Sequence, residues 1–223
     1  QQSQNHAVII LASGLSQRLG QPKQLLVKHG DPLITYMTRL TTTTNPKAIV
    51  VVIPDNHRLI ASTMTELANQ YPTVQIVVNS QADTGMAHSL RLGIGKIAAL
   101  ESTSIDRVLI MGVDQVLLDE PHLTALLAGK QTVVASRYHS WQDLAKHQNR
   151  DQTVSDIIGL PLAVNYKLLR QWQSKLIGDK GLRHLIRGLP ADQIGEVDND
   201  QLSYDIDTPE QLAFAKQQGW LDS

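Results

Sequence analysis

The stretch Ala7-Val-Ile-Ile-Leu-Ala-Ser-Gly-Leu-Ser-Gln-Arg-Leu-Gly-Gln-Pro-Lys23 carries most of the information about the fold of this 223-residue chain. Its first six residues are all apolar, rather than apolar at every second position, which is typical of a strand covered on both faces. Four further apolar runs follow, at 48–53, 74–79, 108–113 and 132–136. The glycines and hydroxyl residues directly after the first run indicate that the chain leaves this strand through a loop.

Amphipathic stretches separate the predicted strands. Helical patterns occur at 33–42, 57–70, 86–100 and 121–127. In the third of these, Met86, Leu90, Ile94 and Ile97 recur at helical spacing and form one apolar stripe. Strands that alternate with helices predict a mostly parallel sheet covered on both faces, that is, a three-layer α/β fold.

The second half of the chain contains a polar stretch, 138–156, that breaks this alternation. We predict a long loop or an inserted helix-turn over the sheet edge there, because loops of this length often have a function of their own. A strand is predicted at 160–164, and helices near 166–176, 181–187 and 208–218. Length and pattern together predict a single domain over 1–223 with an insertion near 138–156.

The composition excludes several classes of function. The formal net charge is -1 and the pI is about 6.8, so the chain has no overall attraction for nucleic-acid phosphates. It contains no cysteine, which excludes disulfides and thiolate chemistry. No apolar run reaches the roughly 18 residues of a membrane span, and the polar residues 1–6 lack the apolar core of a signal peptide. We therefore expect a cytoplasmic protein that binds neither nucleic acid nor membrane.

The loop after the first predicted strand has the chemistry of an anion site. In open α/β sheets, ligands bind at the carboxyl ends of the strands, where this loop begins. Gly14 and Gly20 allow a phosphate to approach the backbone closely, and Arg18 and Lys23 supply positive charge. The spacing matches neither a Walker loop nor the dinucleotide fingerprint. The alternative is an ordinary surface loop whose two basic residues are solvated.

Carboxylates stand at two further positions where a strand is predicted to end. Asp114 follows the apolar run 108–113, where a hard cation is held against phosphate oxygens, although a lone Asp also fits a turn or helix cap. Asp205 and Asp207 lie on the same face if residues 204–207 are extended. One of the two can then ligate a metal together with Asp114. The alternative is that Asp207 caps the last helix.

A weaker signal lies at the third predicted strand. Asn79 ends that strand, and Gly85 and Ser89 open the next helix, whose amino end is suited to hold a base or an anion. The eight histidines show no metal-ligand spacing. The chain also lacks a Ser/His/Asp or Cys/His arrangement for nucleophilic catalysis.

Several of these segments resemble sequence motifs of a known protein family. The loop from Leu11 to Lys23 is similar to the nucleotide loop of the NTP-transferase superfamily that includes the molybdenum-cofactor cytidylyl- and guanylyltransferases. Further matches follow in the same order and extend over about 200 residues: Asn79, Gly85, Ser89-Leu90, Gly93, Gly112-Val-Asp114-Gln115, Gly159-Leu-Pro161, Leu176-Ile-Gly-Asp-Lys-Gly181 and Ile206-Asp-Thr-Pro-Glu210. Pro22-Lys23, the Gly-Asp-Lys-Gly segment and the Asp-Thr-Pro segment look closer to the cytidylyltransferase branch.

The resemblance implies a fold, a reaction and a set of site residues. The family fold is a three-layer, Rossmann-like sheet with one antiparallel strand. The implied reaction is transfer of CMP from CTP to a phosphorylated small molecule, namely molybdopterin or the molybdenum cofactor, with a molybdoenzyme or its chaperone as a further partner. Arg18 and Lys23 are the catalytic residues that hold the triphosphate, and Asp114 and Asp207 hold magnesium. The nucleotide-binding residues are Leu11, Ala12, Ser13, Gly14, Arg18, Lys23, Asn79, Gly85 and Ser89.

Two departures from the family pattern keep alternatives open. Ser13 stands where the family has Ala or Gly, and Val116 stands where it often has Pro. A methylerythritol-phosphate or sugar nucleotidyltransferase is one alternative, because Pro22-Lys23-Gln24 also resembles that group. A homologue that binds a nucleotide or a pterin without catalysis is the other. The presence of Arg18, Lys23, Asp114 and Asp207 argues against the second.

Overall fold

The computed structural model describes residues 4–81, 83, 85–100, 104–140, 156–178 and 181–223. Its strands in chain order are β1 (His6–Leu11), β2 (Val27–Lys28), β3 (Asp31–Pro32), β4 (Ala48–Pro54), β5 (Val74–Asn79), β6 (Arg107–Met111), β7 (Val133–His139), β8 (Asp156–Asn165) and β9 (Ile194–Asp198). Its α-helices are α1 (Leu33–Thr42), α2 (Arg58–Gln70), α3 (Met86–Ala98), α4 (Glu120–Ala128), α5 (Tyr166–Trp172), α6 (Leu182–Arg187) and α7 (Pro209–Gln217).

One seven-stranded sheet organises these elements, in the order β5-β4-β1-β6-β8-β7-β9. β1, β4, β5 and β6 run parallel, and β9 runs parallel to β7. β8 is antiparallel to both of its neighbours, β6 and β7. The short strands β2 and β3 form a separate antiparallel pair. The predicted mostly parallel sheet with one antiparallel strand is therefore confirmed.

Helices cover both faces of the sheet, and each face has its own apolar core. Alternate residues of β1 divide between the two cores: Val8 and Ile10 pack with α1, α2, α4 and α7, whereas Ala7 and Ile9 pack with α3, α5 and α6. A Cβ at Gly93 of α3 would lie only 2.8 Å from Ile9 Cγ2, so α3 approaches β1 very closely. The continuous apolar runs follow from this arrangement, because both faces of the central strands are buried.

Most element boundaries lie within two residues of the predicted ones, and the differences have local causes. His57 precedes α2 as its cap, and its Nδ1 accepts a hydrogen bond from the Ile60 amide at 3.3 Å. Thr208 caps α7 and, with Gln211, forms a reciprocal capping box followed by Pro209. The helix predicted near 166–176 ends at Trp172 and continues as a 3-10 turn, Gln173–Lys175.

Two predictions about the second half are wrong in detail. The polar stretch does not begin at Tyr138, because Tyr138 and His139 continue β7 and pair with Ile157 and Asp156 of β8. The remainder of the predicted insertion, 141–155, lies outside the described residues. Residues 204–207 do not form a strand either. A 3-10 turn ends just before them and α7 is capped just after, so Asp205 alone bridges to Gln115.

Within the described part of the chain, no helix is both long enough and apolar enough to cross a membrane.

Candidate active site

A cavity of about 670 Å³ opens at the carboxyl ends of β1 and β6. Most of the predicted nucleotide and metal residues line it: Leu11, Ala12, Ser13, Gly14, Lys23, Gly85, Ser89 and Asp114. They come from three separate segments, namely the loop after β1, the start of α3 and the turn after β6. These segments meet because the ends of parallel strands lie at one edge of the sheet. We call this space the main cavity.

The buried side chain of Gln24 organises the loop after β1. Its Nε2 donates to the carbonyl oxygens of Ala12 at 2.8 Å and Gly14 at 3.0 Å. A trans peptide points its N–H opposite to its C=O, so the amides of Ser13 and Leu15 face away from Gln24. In the described part of the chain neither amide has a backbone acceptor. Amides presented in this way suit an anion or the polar edge of a base.

The same carboxamide has an unsatisfied atom. Gln24 Oε1 is buried and, among the described residues, has no hydrogen-bond donor. A buried acceptor without a donor costs about 1–3 kcal/mol. The two hydrogen bonds to the loop therefore hold Gln24 in a position that is unfavourable for its own oxygen. Sequence reasoning missed this residue, although it directly follows Lys23 in the family motif and lies among apolar neighbours.

Lys23 lies between two carboxylates that are distant in sequence. Its Nζ is 3.1 Å from Asp114 Oδ2 and 3.6 Å from Asp207 Oδ1. The separation of these two oxygens cannot exceed the sum of the two distances, which is about 6.7 Å. Their side chains are about 28% and 27% exposed, so the group is accessible to a ligand. Without a cation between them, two carboxylates this close would repel each other.

Arg18 also pairs with Asp207, but it does not line the main cavity. Its Nη2 contacts Asp207 Oδ2, and the arginine side chain is 75% exposed. Arg18 and Asp207 instead line a neighbouring cavity of about 540 Å³, and Asp205 lines both cavities. Asp207 does not cap α7, because Thr208 occupies that position. The structure thus brings Arg18, Lys23, Asp114 and Asp207 into one charged group at the boundary of the two cavities.

Asn79 lies behind the cavity wall rather than on it. It is fully buried, and its Nδ2 donates to Ser89 Oγ at 2.8 Å. Ser89 Oγ also contacts Ser13 Oγ, so a chain of polar side chains links the end of β5 to the loop after β1. Asn79 Oδ1 also accepts a hydrogen bond from the Gln81 amide at 2.8 Å, so the influence of Asn79 on a bound nucleotide is indirect. Gly85 caps the start of α3 with a φ of 89°, which residues with a side chain rarely adopt.

The segment after β6 is fixed by contacts with the chain around Asp205. The Asp114 carbonyl accepts from the Ile206 amide at 3.1 Å, and a Cβ at Gly112 would approach Asp114 Oδ1 to 3.2 Å. Burial raises the pKa of Asp205 to about 6, and the nearby negative charge of Asp114 adds to this shift. The neutral form of a carboxylic acid is favoured when it is buried close to a second carboxylate.

The donor set suits magnesium better than zinc. Among the described residues, no group of three or more His, Cys, Asp or Glu side chains is arranged to hold a metal ion. Magnesium needs fewer protein ligands, because it binds one or two carboxylates and completes its octahedron with phosphate oxygens and water. Asp114 and Asp207 can supply two such carboxylates once a nucleotide provides further oxygens.

The far side of the main cavity contains residues that the sequence did not single out as functional. Tyr138, Arg183, Leu182 and Ile186 line it together with Leu160. Arg183 and the two apolar residues of α6 follow the Gly-Asp-Lys-Gly segment of the family pattern. Their position directly after this segment was the only indication of a functional role in the sequence, because a basic residue on a short helix is ordinarily solvated.

Solved structures share this fold at low sequence identity. Rv0371c of Mycobacterium tuberculosis in complex with manganese matches with a TM-score of 0.63 and 17% identity, covering 94% of this chain and 97% of that one. The 4-diphosphocytidyl-2C-methyl-D-erythritol synthase of Anaerococcus prevotii gives 0.66 and 16%, with coverages of 97% and 96%. A putative glucose-1-phosphate thymidylyltransferase of Bacillus anthracis gives 0.71 and 16%, with coverages of 96% and 95%.

Comparison by sequence gives a family assignment as well. The model of the MobA-like NTP transferase domain matches residues 8–196. Among curated proteins, none matches the chain. The matched range includes the loop after β1 and Asp114, whereas Asp207 lies beyond it.

Proposed function

Because this chain belongs to the MobA-like NTP transferase family of nucleotidyltransferases, we propose that it is a magnesium-dependent cytidylyltransferase. It transfers CMP from CTP to a phosphate-bearing acceptor, with molybdopterin or the molybdenum cofactor as that acceptor, and releases pyrophosphate. The product would then pass to a molybdoenzyme or its chaperone.

The observation that carries this proposal is the position of Lys23. It ends the anion-binding loop and lies 3.1 Å from Asp114 and 3.6 Å from Asp207. A cation next to two partly exposed carboxylates can exchange its partners when a triphosphate and a divalent metal bind. A purely structural ion pair has no need of a cavity of nucleotide size beside it.

The reaction needs positioning and charge stabilisation rather than a protein nucleophile. An oxygen of the acceptor phosphate attacks the α-phosphorus of CTP, and the bond from that phosphorus to the β-bridging oxygen breaks. Lys23 stabilises the negative charge that develops on the α-phosphate, and Arg18 stabilises the departing pyrophosphate. Asp114 and Asp207 would hold magnesium, which neutralises charge on the phosphate oxygens when bound.

The preference for CTP and for a molybdopterin acceptor is supported by resemblance. The Pro22-Lys23 form of the loop and the Asp-Thr-Pro segment are similar to the cytidylyltransferase branch. Two of the structural neighbours are named for other acceptors, and one of these two is named for thymidylyl transfer. Since their identities are below 25%, they support the fold and leave the base and the acceptor to experiment.

A screen for pyrophosphate release tests the proposal. The purified protein is incubated with magnesium, each of the four NTPs and one of three acceptors: molybdenum cofactor, methylerythritol phosphate or glucose 1-phosphate. We expect release with CTP and molybdenum cofactor, and loss of release in Lys23→Ala. Release with methylerythritol phosphate or glucose 1-phosphate alone would instead assign the chain to the other nucleotidyltransferase group.

Calorimetric titration with magnesium and each nucleotide tests the base separately. We expect CTP to bind more tightly than GTP, and the reverse order would overturn the cytidylyl assignment. Binding of a nucleotide without pyrophosphate release from any acceptor would point to the non-catalytic homologue.

A further inference from the structure

The main cavity extends beyond the nucleotide loop to the strands on the other side of β6. In the sheet order, β8 and β7 follow β6, and both contribute to the cavity wall together with α6. The apolar part of this wall consists of Leu160, Leu182 and Ile186, and the polar part includes Tyr138 and Arg183. We call these five residues the far wall.

Arg183 differs from Lys23 and Arg18 because no carboxylate among the described residues pairs with it. Lys23 contacts two carboxylates and Arg18 contacts one. Arg183 has neither an ion pair nor a hydrogen bond to any residue in the ranges that the structure describes. A solvated arginine on a convex surface is unremarkable, but this one lines a cavity that also contains Lys23 and Asp114.

The guanidinium lies close to β8, and Tyr138 lines the same cavity. Arg183 Nη2 would be 3.7 Å from a Cβ at Gly159, so it is in van der Waals range of that strand. Burial raises the pKa of Tyr138, and the positive charge of Arg183 acts in the opposite direction. The planar fork of guanidinium donors matches the geometry of a phosphate.

We propose that the far wall binds the acceptor, and that Arg183 binds its phosphate. This inference rests on the proposed function, in which two phosphate-bearing reactants meet in one cavity. A second anion can approach a bound triphosphate only if an additional positive charge offsets the repulsion. In that reaction Lys23 is already engaged by the bound triphosphate, so Arg183 supplies the additional charge for the acceptor.

The apolar residues of the far wall indicate what the rest of the acceptor is like. Leu182 and Ile186 are spaced by one helical turn on α6, and Leu160 of β8 lies beside them on the cavity wall. The nearby amide of Gln115 is already used, because its Nε2 donates to the carbonyls of Leu160 and Leu202. The described wall thus offers few donors for a polyhydroxylated sugar. It suits a phosphomonoester with a flat or apolar body.

The chain provides a matched control for Arg183. Arg187 lies one turn further along α6 and is also exposed, but it lines only a smaller neighbouring cavity of about 340 Å³. Arg183→Gln and Arg187→Gln therefore remove the same charge from the same helix. We expect Arg183→Gln to raise the acceptor KM at least about tenfold while the CTP dissociation constant stays within about twofold. Arg187→Gln should leave both values unchanged, and Arg183→Lys should recover part of the loss.

A binding measurement tests the same site without knowledge of the acceptor. Protein saturated with magnesium and a CTP analogue carrying a methylene between the α- and β-phosphates is titrated with phenyl phosphate and with glycerol 3-phosphate. We expect phenyl phosphate to bind the wild type and Arg187→Gln equally, about tenfold more weakly to Arg183→Gln, and more tightly than glycerol 3-phosphate in the wild type.

The outcomes separate this inference from the proposed function. If the wild type releases pyrophosphate and Arg183→Gln keeps a normal acceptor KM, the acceptor site is wrong and the proposed function stands. If phenyl phosphate binding depends on Arg183 but no acceptor releases pyrophosphate, the anion site stands and the proposed reaction is wrong. Equal binding of phenyl phosphate to the wild type and Arg183→Gln would overturn the site. Tighter binding of glycerol 3-phosphate than of phenyl phosphate would contradict the inference that the acceptor has a flat or apolar body.

Discussion

The charged side chains at the two ends of the strand pair β1 and β6 differ in their burial and in their partners. At the amino ends, His6 and Arg107 are register partners and both are buried. The Arg107 guanidinium donates to the carbonyl oxygens of Gln131 at 3.3 Å, Ala163 at 3.4 Å and Leu127 at 3.5 Å, and it also contacts that of Gly129. His6 Nε2 lies 3.0 Å from Thr44 Oγ1. Both side chains are thus hydrogen-bonded to other residues of the protein.

At the carboxyl ends, charged side chains are partly exposed and contact one another beside open cavities. Lys23, Asp114 and Asp207 are each between about 17% and 28% exposed. A ligand can replace such contacts, whereas it cannot reach the backbone acceptors around Arg107. The difference teaches that burial and the type of partner, rather than the presence of charge, distinguish a stabilising ion from a functional one. We therefore expect substitutions at the carboxyl ends to affect activity and substitutions at the amino ends to affect stability.

The largest effect should come from Lys23. We expect Lys23→Ala to lower kcat by about a thousandfold, roughly 4 kcal/mol, because its charge is needed most in the transition state. Nucleotide affinity should fall far less, and the melting temperature should stay within a few degrees. Steady-state kinetics, calorimetric titration and thermal unfolding measure the three quantities. A variant that loses affinity but keeps its maximal rate would contradict the assigned role.

At the opposite end, Arg107→Met should reduce the free energy of unfolding by about 3 kcal/mol. The substitution removes the donors of several buried carbonyl oxygens, each of which costs on the order of 1 kcal/mol or more when unsatisfied. Urea unfolding measures the loss, and the activity per folded molecule should remain normal. Reduced kcat in a variant of unchanged stability would show that the amino ends also contribute to catalysis.

His6 gives the amino ends a specific dependence on pH. Burial lowers the pKa of His6 to about 4, and the positive charge of Arg107 contributes, whereas the unfolded chain protonates near 6.5. The unfolded state therefore binds more protons between these values, and stability falls as pH decreases from about 6.5 towards 4. We expect His6 to account for up to about 3 kcal/mol of this loss. We expect urea unfolding at several pH values to show that the free energy of unfolding falls less between pH 6.5 and 4 in His6→Gln than in the wild type. The same fall in both proteins would contradict this role of His6.

The smallest effect should come from Gln24, which is buried like Arg107 but serves the carboxyl end. Gln24→Leu removes both hydrogen bonds to the loop carbonyls, and we expect nucleotide affinity to fall about tenfold because the loop amides lose their orientation. Gln17→Leu is the control, since Gln17 is exposed in the same loop. Calorimetric titration with CTP compares the two. Equal affinities in both variants would limit Gln24 to a packing role.

The sequence was most informative about candidate site residues that directly follow a predicted strand. The loop from Leu11 to Lys23 and the position of Asp114 after a buried strand could be read directly, since parallel strands bring their carboxyl ends to one edge. Asn79 was selected by the same logic, but its side chain turns inward to Ser89. Asp205 and Asp207 were expected on one face of a strand that does not form, because the helix cap at Thr208 determines the backbone there.

The sequence by itself therefore determined the alternation of strands and helices, the glycine-containing loop after β1 and the identity of the charged residues, because these follow from periodicity and residue type. Only the tertiary structure decided their partners. Lys23 and Asp114 are 91 residues apart in sequence and meet because β1 and β6 are neighbours in the sheet. Arg183 and Arg187 are equivalent by residue type, yet the packing of α6 brings only Arg183 to the main cavity. Contacts of this kind depend on the order of the strands and the rotation of each helix, which no local pattern specifies.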